Sequence, residues 1–439
     1  YHHHLSFELT GAQKRVIREI RADLGAGKQM NRLLQGDVGS GKTLVALMTV
    51  LIALDNGFQC CLMAPTEILA RQHFNTITRM LTGLDVVVKL LTGSIRSKER
   101  KEIHEGLTDQ KIHLLIGTHA LLEENVKFAR LGLVVIDEQH RFGVAQRAKL
   151  WEKNTLTPHV LVMTATPIPR TLAMTIYGDL DTSVIDELPP GRKPVITRHV
   201  FEPNRSKVLR FIRDKIHEGR QVYIVFPLIQ ESEALDLVDL NNGYEAIILE
   251  FPEPGFRVGK LHGKMKQQEK DDVMEKFLRR ELDILVATTV IEVGVDVPNA
   301  SVMVIENADR FGLSQLHQLR GRVGRGADQS YCILMSRFEL SAEARKRLAT
   351  MVRTTDGFVI AETDLQLRGP GDLQGTQQSG IIDLRIADIV KDEKILKYAR
   401  DLANEIISAD PTLTRPGNDI LAQHLREMDQ RQQNWGLIS

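Results

Sequence analysis

The sequence predicts an α/β protein with two parallel-sheet domains in tandem, followed by a mainly helical C-terminal region. Apolar runs of strand length alternate with helical patterns through two successive series, which is typical of parallel sheets covered by helices. Residues 188–192 contain two prolines and a glycine and separate the two series. From about residue 338 the alternation gives way to helical patterns and one glycine-rich loop.

The first series, assigned to a domain of residues 1–188, has six predicted strands: residues 30–34, 60–64, 86–91, 112–117, 131–137 and 160–164. The second, assigned to residues 189–338, has six more: residues 195–201, 221–226, 257–261, 284–288, 301–305 and 331–335. The region 339–439 begins with an arginine-rich helical stretch. A glycine-studded loop at residues 368–380 follows, and loops of this length in compact proteins are usually functional or mobile.

Composition limits the classes of protein that the chain can belong to. Its 439 residues are too many for one core, and 42% hydrophobic with 26% charged residues is ordinary for a globular protein. No apolar run is long enough to cross a bilayer, so we expect no membrane partner. Three cysteines fit neither a disulfide framework nor a zinc site, which indicates a reducing compartment, most simply the cytoplasm. The formal net charge is zero, so a nucleic-acid partner must be argued from local clusters.

The chain begins Tyr-His-His-His without an initiating methionine. We interpret it as a segment of a longer protein, with a remnant of a purification tag as the alternative.

The most informative motif follows the first predicted strand. Residues 34–43 read Leu-Gln-Gly-Asp-Val-Gly-Ser-Gly-Lys-Thr, a phosphate-loop pattern, and a long apolar helical run comes next. Such a loop lets backbone N–H groups converge on phosphate oxygens, and the helix N-terminus adds its dipole. Lys42 is predicted to contact the β- and γ-phosphates of ATP, and Thr43 to ligate Mg²⁺. A chance glycine turn is disfavoured by the flanking elements. The other residues assigned to the nucleotide are Gly36, Gly39, Ser40 and Gly41.

Residues 133–140, Leu-Val-Val-Ile-Asp-Glu-Gln-His, form an apolar strand that ends in two carboxylates. Asp137 can hold Mg²⁺, and Glu138 can orient and deprotonate the attacking water. Strands often end in solvated acids, so this pattern is informative only downstream of a phosphate loop. His140 suits a relay to a nucleic-acid site, with a plain loop residue as the alternative. Thr164 and Thr166 end the next strand, where their hydroxyls can sense the γ-phosphate or serve only as turn residues.

Residues 310–327 contain four arginines, one histidine and no acid, although a solvated face normally mixes both signs. A guanidinium aimed at the γ-phosphate stabilises charge in the transition state, with an effect of roughly 10³ to 10⁵ on rate. Arg322 and Arg325 are the candidates. If they lie on the second sheet, ATP must bind in the cleft between the two sheets, and hydrolysis is coupled to opening and closing of that cleft.

Four segments in this order resemble the motifs of superfamily 2 helicases: residues 36–43, 137–140, 164–166 and 318–325. Four more closely resemble the RecG family of bacterial fork-reversing helicases: residues 137–147, 166–174, 291–298 and 368–380. The resemblance runs from about residue 7 to about residue 380. It implies two RecA-like domains and a C-terminal helical hairpin with a loop. The implied activity is ATP-dependent translocation on double-stranded DNA, remodelling branched DNA in repair and recombination.

The same resemblance implies roles for individual residues. It assigns adenine recognition to Phe7, Leu9 and Gln13, with Phe7 stacking on the base and Gln13 reading its edge. Contacts to the DNA backbone in the first domain are implied for Pro65, Thr66, Thr92, Gly93, Thr118 and His119. Residues implied to touch DNA or nucleotide from the second domain are Thr288, Gly294, Asp296 and Gln318. Conversion of cleft closure into movement along DNA is implied for Arg347, Arg368 and Gln378.

One departure from the family pattern concerns its N-terminal wedge domain, to which nothing in this sequence corresponds, so we expect the motor without that part. By resemblance we also expect branched or duplex DNA and a single-stranded-DNA-binding protein as partners, a monomer, and a location at the bacterial nucleoid.

Three other interpretations stay open. A transcription-repair coupling translocase shares the hairpin and loop, but Gln139 and Pro370 favour the RecG pattern. A nucleotide-gated binding module without turnover would not need Glu138, Arg322 and Arg325. An RNA helicase would leave the hairpin without a role.

Overall fold

The computed structural model describes residues 8–93, 95–137, 157–164, 180–189, 193–227, 233–288, 297–324, 326, 328–368 and 392–435. The strands in these ranges form two separate sheets, and every pairing between neighbouring strands is parallel. The predicted α/β class with two sheets in tandem is therefore confirmed.

The first sheet has seven strands, which are β1 (Asn31–Gly36), β2 (Gln59–Met63), β3 (Val88–Leu91), β4 (Leu114–Gly117), β5 (Leu131–Asp137), β6 (His159–Thr164) and β7 (Asp181–Ile185). Their order across the sheet is β3-β4-β2-β5-β6-β1-β7. Its described helices are α1 (Gly11–Leu24), α2 (Lys42–Asp55), α3 (Glu67–Met80) and α4 (Ser97–Thr108). All six predicted strands are present, with bounds shifted by at most two residues. The edge strand β7 was not predicted, because it is short and alternates exposed with buried residues.

The second sheet has six strands, which are β8 (Ile196–Phe201), β9 (Gln221–Val225), β10 (Val258–Leu261), β11 (Ile284–Ala287), β12 (Ala300–Ile305) and β13 (Tyr331–Ser336). Their order is β10-β11-β9-β12-β13-β8. The helices described in this part are α5 (Arg205–His217), α6 (Glu233–Glu250), α7 (Gln267–Leu278), α8 (Leu313–Arg320), α9 (Ala342–Arg353) and α10 (Gly357–Arg368). All six predicted strands are present here as well.

The cores explain why apolar runs were a good guide to the strands. Central strands such as β2 and β12 are buried at every position, because helices cover both faces of each sheet. One core lies against the first sheet and is built around Leu34, Leu62 and Val135. Two more lie against the second sheet, one around Val225 and Leu316 and the other around Ile224 and Val304. The two packed sheets therefore present their carboxyl edges to the loops that follow them.

Both sheets, with α9 and α10 up to Leu367, belong to one compact unit. A second unit contains α11 (Glu393–Ala409) and α12 (Asp419–Trp435). In the turn between these two helices, the Asp410 carboxylate accepts hydrogen bonds from the backbone N–H groups of Thr414 and Arg415 and from the Asn418 amide.

Across the described ranges, no helix has the length and apolar character that a membrane span requires.

Candidate nucleotide site and nucleic-acid interface

The predicted phosphate loop lies between β1, which ends at Gly36, and α2, which begins at Lys42. Gly39 and Gly41 have positive φ angles of 77° and 87°, a conformation that favours glycine. A Cβ atom on Gly36 would lie 2.6 Å from the Ser40 hydroxyl oxygen, so the loop closes on itself too tightly for a larger residue. The glycines of the motif are thus required by geometry, and the loop leads directly into the N-terminus of α2.

Lys42 lies over the start of this loop. Its ammonium donates hydrogen bonds to the backbone oxygens of Gly36 (2.7 Å) and Asp37 (2.9 Å). The positive charge is therefore held close to the loop.

Asp137 ends β5, two strands from β1 in the sheet order. Its Oδ2 lies 2.7 Å from Nε2 of His73 on α3. Burial alone would raise the pKa of Asp137, but the hydrogen bond and charge of His73, together with Lys42 and Arg322, outweigh it and hold the pKa below its usual value. The carboxylate stays ionised, as a Mg²⁺ ligand must be. Charges from both domains thus act on one carboxylate.

His73 was missed by sequence reasoning. It occupies a buried face of α3 with Leu69, Ala70 and Ile77, a spacing that indicates only a helix packed on a core. A single histidine on such a face carries no signal for a site. Its role as the partner of Asp137 depends on a contact across 64 residues of sequence.

Gln13, predicted to read adenine, is buried and contacts the phosphate loop. Its side chain forms a capping box with Thr10 at the start of α1, and its Nε2 donates to the backbone oxygen of Ser40 (2.8 Å). A Cβ atom on Gly41 would overlap the same Nε2 atom. Gln13 therefore supports the loop through its hydrogen bond to Ser40. Leu9, the other described residue of this segment, is buried just before α1.

The DNA-contacting residues predicted in the first domain follow three neighbouring strands. Pro65 and Thr66 follow β2, Thr92 and Gly93 follow β3, and Thr118 and His119 follow β4. Because these strands are parallel, the six residues lie along one half of the carboxyl edge.

The phosphate loop, Asp137 and Thr164 follow or end β1, β5 and β6, in the other half of the same edge. The residues predicted to bind nucleotide and those predicted to contact DNA thus occupy different halves of one edge of the sheet. In the second group, Thr118 is buried and its hydroxyl has no hydrogen-bond partner in the part of the chain described.

In the second domain, Thr288 directly follows β11 and is buried, and its hydroxyl also lacks a partner among the described residues. Gln318 lies on α8, and Arg322 follows that helix in a buried position. Arg347 lies on α9, where its guanidinium donates to the backbone oxygen of Asp309 at 2.8 Å.

The two domains meet at the phosphate loop. Nε2 of His317 on α8 lies 2.9 Å from Oδ1 of Asp37, and a Cβ atom on Gly321 would lie 2.8 Å from the Val38 side chain. Burial alone would raise the pKa of Asp37, but the contact with His317, the N–H of Val38 and the charge of Lys42 hold it below its usual value. The segment that carries Arg322 therefore lies against the loop that carries Lys42.

Several predicted residues lie outside the described part of the chain: Phe7, Glu138, His140, Thr166, Gly294, Asp296, Arg325 and Gln378. Arg368 ends α10, and only its backbone is described. The roles assigned to all of these remain predictions.

No group of three or more His, Cys, Asp or Glu side chains in the described ranges could hold a metal ion by itself. The predicted Mg²⁺ ligands, Thr43 and Asp137, are hard oxygen donors. Mg²⁺ is usually held by one or two carboxylates with substrate phosphates, so this donor set fits the ion.

Residues 10–175 match the DEAD/DEAH box helicase family, residues 204–327 the helicase conserved C-terminal domain, and residues 354–439 the C-terminal part of domain 3 of the ATP-dependent DNA helicase RecG. The ATP-dependent DNA helicase RecG of Synechocystis is 54% identical over 93% of this chain and 49% of its own length. That of Aquifex aeolicus is 53% identical, over 93% of this chain and 52% of its own. A solved structure of RecG bound to a three-way DNA junction aligns with a TM-score of 0.75 and 46% identity, over 90% of this chain and 51% of that one.

Two parallel sheets in tandem, with a phosphate loop on the first and an arginine-bearing segment of the second packed on it, define the motor of a superfamily 2 helicase. The chain spans about half the length of the curated relatives that it matches. With about half of its residues identical to theirs over nearly all of its length, it belongs to the RecG helicase family.

Proposed function

We propose that this chain is the motor of an ATP-dependent double-stranded DNA translocase that remodels branched DNA, including fork reversal and processing of four-way junctions. The observation that carries the proposal is the packing of the Arg322 segment of the second domain on the phosphate loop of the first, where His317 lies 2.9 Å from Asp37 and Gly321 packs on Val38. In this arrangement the charges of Lys42 and Arg322 both act on Asp137. Cations from both sides of the cleft act on one carboxylate, which suits hydrolysis that depends on cleft closure.

The proposed roles in hydrolysis follow from these positions. Lys42 would exchange its contacts with the loop carbonyls for the β- and γ-phosphates of ATP. Thr43 and Asp137 would hold Mg²⁺, which when bound neutralises charge on those phosphates. Arg322 would stabilise negative charge that develops in the transition state, and the carboxylate of Glu138 would take the proton of the attacking water.

The proposed DNA contacts use loops rather than a groove-reading element. Thr66, Thr92 and Thr118 follow adjacent strands of the first sheet, and Thr288 follows a strand of the second. Short hydroxyls and backbone amides in loops of this kind are suited to phosphate oxygens. Contacts of this kind hold a DNA backbone without reading its sequence.

Arg347, Arg368 and Gln378 are proposed to convert closure of the cleft into movement along DNA. Arg347 already ties α9 to the second domain through Asp309. We also propose a single-stranded-DNA-binding protein as a partner, a monomeric state and a place in the bacterial cytoplasm at the nucleoid. The relatives reported above carry the RecG name, and no observation favours a transcription-repair coupling translocase.

Phosphate release from ATP, measured with duplex, forked and single-stranded DNA and with RNA, tests the function. We expect branched and duplex DNA to stimulate ATP turnover more than single-stranded DNA or RNA does. Turnover that only RNA stimulates would indicate an RNA helicase. Nucleotide and DNA binding without turnover under any condition would indicate a gated binding module.

A further inference from the structure

His317 is a buried histidine with a neighbour at each ring nitrogen. Only 4% of its surface is exposed. On one side, Nδ1 lies 3.0 Å from a guanidinium nitrogen of Arg320, and on the other, Nε2 lies 2.9 Å from Asp37 of the phosphate loop. Because a guanidinium can only donate, Nδ1 must be the acceptor of the first bond. The ring proton is thereby placed on Nε2, the nitrogen that lies beside the Asp37 carboxylate.

Arg320 connects this histidine to the helices that follow the second sheet. It is 3% exposed, and its guanidinium donates to the backbone oxygens of Met351 (3.0 Å), Thr354 (2.8 Å) and Thr355 (3.2 Å). These oxygens lie at the end of α9 and in the turn that leads to α10, where the dipole of α9 favours a cation. One buried charge thus joins α8 to the turn between two helices.

A second contact joins the same helix to α10. The Ser314 hydroxyl, near the start of α8, donates to Oδ2 of Asp364 on α10 at 2.9 Å. Both helices of the α9–α10 pair are therefore bonded to α8. A shift of α8 relative to the phosphate loop would be transmitted to both.

Two residues, one helical turn apart on α8 and its continuation, contact the phosphate loop. His317 and Gly321 are four residues apart, so they lie on one face of α8 and its C-terminal continuation. His317 contacts Asp37, and Gly321 packs on Val38. Arg322 is the next residue, so this two-point contact positions the backbone that carries its side chain.

We propose that His317 is a positioning residue. Through Asp37 it holds the Arg322 segment in register with the phosphate loop, and through Arg320 it ties that register to the turn between α9 and α10. The inference rests on the proposed ATPase function and adds to it a specific connection between the nucleotide loop and the helix pair. The Asp37, His317 and Arg320 side chains are its three members.

The first test measures kcat and KM for ATP in His317→Ala and His317→Gln, with duplex DNA present. A misplacement of about 1 Å can lower a rate about 10²-fold, so His317→Ala should lose about 10- to 100-fold in kcat while KM for ATP changes little. Gln can present its Nε2 amide group to Asp37, and it should restore much of the loss. His159→Ala is the matched control. His159 is half-buried, accepts a hydrogen bond from the Met30 N–H, and starts β6, so it lies at the edge of the sheet opposite to the phosphate loop.

The second test does not depend on turnover. Amide hydrogen exchange at residues 354–356 is compared with and without a non-hydrolysable ATP analogue and Mg²⁺. Wild type should show a change in exchange on binding the analogue, and His317→Ala should not, although it still binds. A wild type without this change, a change that persists in His317→Ala, or equal kcat losses in His317→Ala and His159→Ala would each overturn the inference. Lack of wild-type turnover together with the exchange change would instead count against the proposed function alone.

Discussion

At the scale of single residues, Lys42 is a position where a substitution should lower the rate of ATP hydrolysis far more than the stability of the fold. Lys42→Ala removes two hydrogen bonds to loop carbonyls, each with a net contribution of about 0.5–1.5 kcal/mol, so the melting temperature should fall by only a few degrees. Loss of a preorganised positive charge should lower kcat by at least about 10²-fold. ATPase assays and thermal unfolding measure both. A folded variant with near-normal turnover would remove Lys42 from the site.

His73 provides a second test at this scale. Its ring bonds the Asp137 carboxylate, and loss of such outer-shell partners typically costs about 10- to 100-fold in metal affinity. We expect His73→Ala to raise the Mg²⁺ concentration for half-maximal ATPase activity by a factor in this range. His73→Gln should show a smaller effect, since its amide can still donate. If stability falls while the Mg²⁺ dependence is unchanged, His73 is a packing residue only.

At the scale of elements, the phosphate loop can be tested with two glycines that share a backbone conformation. Gly41 and Gly27 both have positive φ angles, 87° and 69°. A Cβ atom on Gly41 would overlap the Gln13 amide. A Cβ atom on Gly27 would have no described atom within 4 Å, apart from those of Gly27 itself and its two chain neighbours. Both alanine variants carry backbone strain of about 1–3 kcal/mol, but only Gly41→Ala also displaces Gln13.

We therefore expect Gly27→Ala to lose stability but keep its affinity for ATP, and Gly41→Ala to lose both. Thermal unfolding and binding of a fluorescent ATP analogue check the two outcomes. Equal ATP affinities in the two variants would show that the Gln13 contact does not shape the loop.

The turn between α11 and α12 predicts a pH effect. Bonds from the Arg415 N–H, the Asn418 amide and Thr414 outweigh desolvation and lower the pKa of Asp410 to about 2. A carboxylate with a lowered pKa stabilises the fold fully above its ordinary pKa of about 4, and the contribution is lost as pH falls toward about 2. The difference in melting temperature between wild type and Asp410→Ala should be constant from about pH 6 to 8 and shrink progressively as the pH falls from about 4 toward about 2. A difference that does not change with pH would contradict this account.

At the scale of the whole molecule, the proposed DNA contacts are made to the backbone. Such contacts release counterions, so the logarithm of DNA affinity should fall linearly with the logarithm of salt concentration and should be nearly independent of base sequence. Titrations of two duplexes of equal length and different sequence, at several salt concentrations, measure both slopes. A strong preference for one duplex at fixed salt would contradict translocation without sequence readout.

The sequence by itself determined the two-sheet architecture and the phosphate loop. Buried parallel strands produce continuous apolar runs, and a tight loop before a helix requires glycines at set positions, so both features are encoded within about a dozen neighbouring residues. The strand β7 was not predicted, because an edge strand is only partly buried and keeps polar residues.

Only the tertiary structure decided which side chains complete the site. His73 lies on a helix whose pattern indicates packing only, and His317 is the single histidine of the arginine-rich segment, with no partner predicted for it. Only the structure places one beside Asp137 and the other beside Asp37. Arg320 falls within the arginine-rich segment that the sequence singled out, but its partners are backbone oxygens at the end of another helix, which no side-chain pattern predicts. A local pattern specifies how a segment folds, whereas contacts between distant segments depend on which faces the packed sheets and helices bring together.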